Sequence, residues 1–325
     1  MGIRMIAGWC AGFVCMLLPF GANAQTEPRY PIKPVRLLVG FAPGGGSDIL
    51  SRAVGQKLTE RWGQPVVTDN RAGAGGTIAM ELAAKAVPDG YTLLVVSGSQ
   101  LTNAALVTRV PYDIQATFAP ITQMTSQPYV LLAHPSLPVK SVKELIALAK
   151  SKPGALNYGS SGTGSSAHLG MELFKDVAKV DMVHVPYKGA GQAMIDLMSG
   201  QVQLLLASAI SAMPQVKARR LKALGVTSSK RSGLLPDLPA IAEAGLTGYS
   251  VVGWYGLVAP AHTPPAIVQH INHQIAQILG SPDIREKLAA DGIESAPSTP
   301  TQFRETITHE IEKWTKLVAS SGMKL

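Results

Sequence analysis

The chain has 325 residues, of which 46% are hydrophobic, 15% charged and 6% aromatic, and it carries a formal net charge of +8 at pH 7. That length holds two domains of ordinary size, and the basic balance favours anionic partners. Nucleic acid is excluded as one of them, because no basic stretch is interleaved with aromatic side chains.

Residues 1–24 have the form of a secretory signal peptide. Arg4 is the single charge, residues 6–20 are apolar, and Ala22, Asn23 and Ala24 make an A-x-A cleavage signature. The apolar run is too short for a membrane span. Cys10 and Cys15 lie inside this run and away from the cleavage point, which argues against lipidation. Neither disulfides nor thiolate metal sites are then expected in the exported chain. The expected location is the periplasm, with residues 1–24 removed.

Residues 35–41 (VRLLVGF) read as a buried strand. Ala42, Pro43, Gly44, Gly45, Gly46, Ser47 and Asp48 follow, then a helix with Leu50, Val54, Leu58 and Trp62 at i+4 intervals. Ser47 or Asp48 could cap that helix. Strand, glycine loop and helix N-terminus together form an anion seat, where free N–H groups meet the positive end of the helix dipole. A second unit has its strand at 65–70, its loop at 71–77 and an alanine-rich helix to 86. A turn at 88–90 precedes a third strand at 91–96, which opens into Ser97, Gly98 and Ser99. This alternation argues for a parallel α/β sheet covered on both faces.

Residues 118–134 break the rhythm as a long extended run and read as a passage between lobes. Ser141 and Glu144 form a capping box for a helix with Leu145, Ile146 and Ala149 on one face. A strand at 156–158 leads to the loop 159–166 and a helix bearing Leu169, Leu173 and Val177. Another strand, at 182–186, leads through the loop 187–191 to a helix at 192–199, and further strands fall at 202–206 and 221–226. Residues 249–258 form a second extended crossing. Pro264 and Pro265 open a helix. Thr299 and Gln302 start the last one, whose Phe303, Ile307, Ile311, Trp314 and Val318 are expected to pack back on the first lobe. Loops at the carboxyl ends of strands in two facing lobes would enclose a ligand.

Several sharper chemistries fail on spacing. Gly44 to Gly46 lacks both G-x-G-x-x-G and a following Gly-Lys-Ser/Thr, and Ile78 stands where the run from Gly73 and Gly75 would need a third glycine. Thr163 stands where a G-x-S-x-G elbow around Ser161 would require glycine. A serine hydrolase using Ser161 or Ser165 with His168 would also lack a placed acid. His270 and His273 have no third ligand, so no metal is expected.

Specific stretches then match a known family: YPIKPVRLLVGFAPGGGSDIL, GQPVVTDNRAGAGGTIA, PDGYTLL, LNYGSSGTGSSAHLGMELFK, VHVPYKGAGQAMIDLMSGQV, LKALGVTS and LPDLPAIAEAGLTGY. In these the chain resembles the extracytoplasmic solute-binding receptors of tripartite tricarboxylate transporters, the Bug or TctC-like family. The resemblance implies a periplasmic-binding-protein type II fold, α/β, with two lobes joined by two extended crossings. Lobe 1 would comprise 25–125 and 255–325, and lobe 2 would comprise 126–254. It also implies a monomeric receptor, not an enzyme, without metal or cofactor, that presents a small organic acid to membrane permease subunits or, alternatively, to a periplasmic sensor. The acid classes implied are di- and tricarboxylates, acidic amino acids and aromatic acids, held by backbone N–H groups, hydroxyls and water.

By position, the resemblance assigns Pro43, Gly44, Gly45, Asp48, Ser97, Gly98 and Ser99 in the first lobe as ligand contacts. In the second lobe it assigns Ser160, Ser161, Thr163, Gly164, Ser165 and His168, with Tyr187, Lys188 and Gly189 at the rim. Asp48 is a carboxylate beside a carboxylate seat, so capping or loop orientation competes with ligand contact for its role. Gln100 stands where many relatives carry histidine, and Ala207 and Ser208 replace a bulkier segment. All three are expected to face the variable end of the ligand.

Overall fold

Short apolar strands that end in glycine or serine set the architecture, because each hands the chain directly to a helix. This computed structural model describes residues 1–2, 30–108, 110 and 112–321, so nearly all of the leader expected over residues 1–24 lies outside the described residues. β1 (Val35–Val39) is flanked by β2 (Val66–Asn70) and β3 (Thr92–Ser97), both parallel to it. α1 (Gly46–Trp62) and α2 (Thr77–Ala84) make the crossovers. A short α3 (Gly98–Thr102) and one stretch of π-helix at Asn103–Thr108 follow, and α4 (Ile114–Thr117) leads into β4 (Phe118–Ala133).

The second lobe repeats the pattern with α5 (Val142–Ser151), β5 (Asn157–Ser160), α6 (Ser166–Ala178), β6 (Val183–Pro186), α7 (Ala190–Met198), β7 (Leu204–Ser208), α8 (Ala209–Lys217) and β8 (Lys222–Val226). The chain returns along β9 (Val252–Pro260) and closes with α9 (Pro265–Gly280), α10 (Pro282–Ala290), β10 (Glu294–Ser295) and α11 (Pro300–Ser321). The strands run in the order β2-β1-β3-β9-β4-β7-β5-β6, with β8 and β10 also pairing with β4. The fold is mixed α/β with two lobes.

β4 has 16 residues, which at about 3.3 Å each gives roughly 50 Å of strand. Residues Phe118 to Pro128 pair with β9, and Tyr129 to Ala133 pair with β7, so one strand serves both lobes. Where it passes from one to the other, Thr227 holds the two crossings together. Its hydroxyl accepts from the Tyr129 N–H at 2.8 Å and donates to the Val251 carbonyl at 2.5 Å. Its own backbone bonds Tyr129 and Val251 as well.

Element ends differ from expectation by one or two residues at most strands. The larger differences are α3, α4, α8, α10 and β10, which the pattern did not announce. α8 carries Pro214 inside the helix, a residue that ordinarily argues against one. The last helix packs on the first lobe through Phe303 and Ile307, as expected, but its Trp314 enters a core made by Leu131, Tyr158, Phe174 and Tyr249.

Replacing Thr227 by valine keeps its shape but leaves the buried Tyr129 N–H without this acceptor, at a cost of about 1–3 kcal/mol. Thermal unfolding of Thr227→Val should begin at least about 2 °C lower than in the parent, and Thr227→Ser should stay close to it.

Candidate ligand-binding site

Five helices begin at the carboxyl edge of the sheets and aim at one place. α1 starts after Gly45, α7 after Gly189 and α8 after Ser208, and none of these three residues makes a side-chain cap. Their first N–H groups are therefore open to a ligand. α3 and α6 are capped by their own Ser97 and Ser165 hydroxyls. The five ends line one interlobe cavity through Gly45, Gly46 and Ser47, then Ser97 and Ser99, then Ala167, Ala190 and Ser208. Ser161, Tyr129 and Tyr255 add hydroxyls, Phe41 and Leu206 add apolar wall, and no charged side chain lines the space. Each helix of ordinary length brings a positive end equivalent to ~0.5 elementary charge. The arrangement suits a small anion held by dipoles and donors.

Both tyrosines are partly buried. Burial raises the Tyr129 phenol above its ordinary pKa, although hydrogen bonds to Ser99 and Ser166 work the other way. Burial likewise raises Tyr255, with Tyr129 adding to the effect and a bond to Ser208 opposing it. Both therefore stay neutral donors at any physiological pH.

The lobes touch directly around this space. Ala42 N–H donates to the Lys188 carbonyl at 3.2 Å, Ser166 N–H to Ser99 Oγ at 2.9 Å, and Asn103 Nδ2 to the Thr163 carbonyl at 2.5 Å. A side chain at Gly191 would collide with the Pro43 carbonyl, and one at Gly46 with Tyr255 and Ser208. The cavity that remains is ≈ 30 Å³, room for only two or three waters at about 10–15 Å³ each. A larger solute enters only if the lobes part.

Among the residues expected from sequence, Gly45, Ser97, Ser99 and Ser161 line the cavity. Pro43 and Gly44 lie exposed at its edge. Asp48 turns back: its carboxylate accepts from the Gly44 N–H at 3.0 Å and pairs with Arg52 at 3.0 Å. Burial works to raise its pKa, but those bonds together with one to Asn70 bring it below the ordinary value. Gly98 faces α11, where a Cβ would come within 2.8 Å of Glu310 Oε1. Ser160 is buried, with its hydroxyl on the Gly162 N–H at 3.1 Å and on His184 Nε2 at 2.7 Å.

Thr163 and Gly164 meet Asn103 across the cleft. Ser165 caps α6, and His168 Nδ1 accepts from the Gly164 N–H at 3.0 Å. That bond ties the loop down and commits His168 Nδ1 to the backbone. Tyr187 donates to Asp196 at 2.7 Å, while Lys188 is exposed and Gly189 packs on Ala42. Gln100 is buried with its amide donating to the Gly76 carbonyl at 2.9 Å, whereas Ser208 reaches the cavity. Tyr129, Tyr255 and Ser47 are site residues that sequence reasoning passed over. The tyrosines sit on crossing strands, where no loop motif marks them. His273 bonds Gln277, and no group of three metal-ligating side chains occurs among the described residues.

Two α/β lobes closing on a cavity rimmed by helix N-termini define a solute-binding protein of the periplasmic type. Residues 50–323 match the tripartite tricarboxylate transporter family receptor, TctC, and the chain belongs to that family. It is 36% identical to Protein BugT of Bordetella pertussis over 306 residues, covering 94% of each chain. Among solved structures it is 37% identical to R. palustris Rpa4515 with adipate, with a TM-score of 0.87 over 90% of this chain and 98% of that one. It is also 33% identical to MatC (Rpa3494) from Rhodopseudomonas palustris with bound malate, with a TM-score of 0.83 over 89% of this chain and 100% of that one. The family comprises solute-binding receptors, not enzymes. No helix among the described residues is long and apolar enough to cross a membrane.

The cleft loop rests on two stacked imidazoles, His168 and His184, with ring centroids 3.9 Å apart. Burial, chiefly, lowers His168; burial, and then the neighbouring His168, lower His184 to about 4. The unfolded chain therefore takes up more protons than the folded one between about 4 and 6.5. The stability these groups contribute is present above that window and lost as pH falls through it. Denaturant titrations from pH 7 down to 4 should show falling stability, with a shallower fall in His184→Gln.

Proposed function

We propose that this protein captures a small dicarboxylate outside the cytoplasm and presents the closed complex to membrane permease subunits of a tripartite tricarboxylate-type transporter. The observation that carries this reading is the convergence of helix N-termini on a cavity without a charged side chain. The ends fall into two groups. α1 meets α7 and α8 near Tyr255, while α3 meets α6 through Ser99 and Ser166. The first group offers uncapped N–H groups, and the second, whose helices are capped, offers the Ser99 and Ser161 hydroxyls. Donors on two sides suit an acid with two anionic ends, in keeping with the adipate and malate held by the two R. palustris proteins. Lobe 1 at 25–125 and 255–325, lobe 2 at 126–254, export by a leader over 1–24 and a monomeric receptor all belong to this reading. The change of partners along β4 supports the division.

The magnitudes are adequate. Hydrogen bonds to a charged group contribute about 1.5–3 kcal/mol each, and micromolar binding needs about 8 kcal/mol net. Four or five donors at the upper half of that range reach about 9–15 kcal/mol, which meets the requirement and leaves something for the ordering cost of closure.

Denaturing the purified protein and analysing what is released by mass spectrometry should yield a small dicarboxylic acid. Added at a hundredfold its dissociation constant, that acid should stabilise the chain by about 2.7 kcal/mol. The absence of both a released acid and a thermal shift with any carboxylate would remove the proposal. In calorimetric titrations, Tyr255→Phe and Ser208→Ala should each weaken binding by roughly tenfold or more, the loss of one charge-assisted bond.

A further inference from the structure

α11 has 22 residues, about 33 Å of helix, and it is anchored in both lobes. Phe303 and Ile307 are buried beside Leu38, Val96 and Val258 in the first lobe. Trp314, only 1% exposed, is buried among second-lobe side chains. Between the two anchors lies Glu310, itself 8% exposed. Its Oε1 accepts from Trp314 Nε1 at 2.7 Å.

The same carboxylate lies under the ligand seat. A Cβ at Gly98 would come within 2.8 Å of Glu310 Oε1 and 3.3 Å of Trp254 Nε1, so the backbone of α3 rests on α11 at this point. Gly98 is placed between Ser97 and Ser99, whose side chains line the cavity, and Ser99 Oγ receives the Ser166 N–H from the opposite lobe. Trp254 lies on the returning crossing, β9. One buried acceptor thus sits where the last helix, the α3 turn and a crossing strand meet.

We propose that Glu310 is a positioning residue: it docks α11, as a third and non-covalent tie between the lobes, beneath the turn that carries Ser97 and Ser99. The two strand crossings set where the lobes pivot. The helix limits how they move, because any swing that draws the second lobe away must carry Trp314 with it or pull it from its core. Only the ligand-linked part of this proposal rests on the function proposed above.

The test is a spin-label distance between Lys85→Cys and Lys152→Cys, two exposed sites in opposite lobes, in the full chain with Cys10→Ser and Cys15→Ser. Without ligand, and well below any melting midpoint, Glu310→Ala should at least double the width of the interlobe distance distribution. Glu310→Gln, which keeps an acceptor for Trp314 Nε1, should restore the parent width. Lost stability alone would lower the melting midpoint without changing that width. Should Glu310→Ala not fold, Trp314→Phe, which fills the core but lacks the donor, should broaden the distribution in its place.

An unchanged width in Glu310→Ala or Trp314→Phe, or a Glu310→Gln distribution as broad as that of alanine, would overturn the proposal. Adding adipate is a separate arm. A parent distance that moves with adipate, and a Ser161→Ala chain that responds only at higher adipate concentration but keeps the narrow ligand-free distribution, supports both this tie and the binding function. A parent that ignores every dicarboxylate removes the function and leaves the ligand-free comparison standing.

Discussion

The structure depends on one constraint: helices that follow parallel strands must start at the carboxyl edge of the sheet with their first N–H groups unspent. In most such turns a side chain caps the helix and the matter ends locally. Here the residues before α1, α7 and α8 are Gly45, Gly189 and Ser208, and none caps its helix with a side chain. A side chain at Gly46 would collide with Tyr255 and Ser208, and one at Gly191 with the Pro43 carbonyl. Small residues therefore do two things at once. They leave donors unpaired, and they let the two lobes approach closely enough to share those donors with one solute.

A cavity built this way recognises charge without supplying any. A lysine or arginine there would need its own partner whenever the lobes shut without a solute, because an unpaired buried charge is costly. Backbone dipoles and neutral phenols carry a smaller cost in that state, since burying an unpaired dipole costs less than burying an unpaired charge. Burial keeps Tyr129 and Tyr255 protonated, so they can only strengthen the donor set. Asp48, the acidic residue nearest the loop, is held by Arg52 and the Gly44 N–H. Its charge is thereby spent on shaping the loop and is turned away from the seat.

Much of this was legible in the sequence because it is local. Strand patterns followed by glycine or serine runs located the loops, and Gly45, Ser97, Ser99 and Ser161 do line the cavity. The capping box at Thr299 forms as its spacing suggests. At Ser141 the hydroxyl caps the Glu144 N–H, but the Glu144 carboxylate accepts from the Lys140 N–H instead of the Ser141 N–H. What escaped is what depends on the face a residue takes in a long crossing. Tyr129 and Tyr255 sit in extended runs whose alternation does not say which side meets the ligand. α8 was hidden by Pro214, a penalty overridden by burial of Ile210, Ala212 and Met213. His168 stood near the right loop, but its ring is engaged by the Gly164 N–H and by His184, a partner distant in sequence.

Closure and rigidity must then be reconciled in one molecule. Thr227 joins the crossings at a single point with bonds short in reach, which permits rotation about that point but little translation. α11 lies across the junction, with apolar side chains in both lobes and Glu310 between them. A pivot with one further tie off its axis has fewer ways to move than a pair of strands alone, so the open state loses less entropy when it closes. That economy matters here because individual donors contribute only about 1.5–3 kcal/mol and ordering costs are of similar size. A receptor that binds through neutral groups needs its lobes guided toward one another, and the long terminal helix is the element placed to guide them.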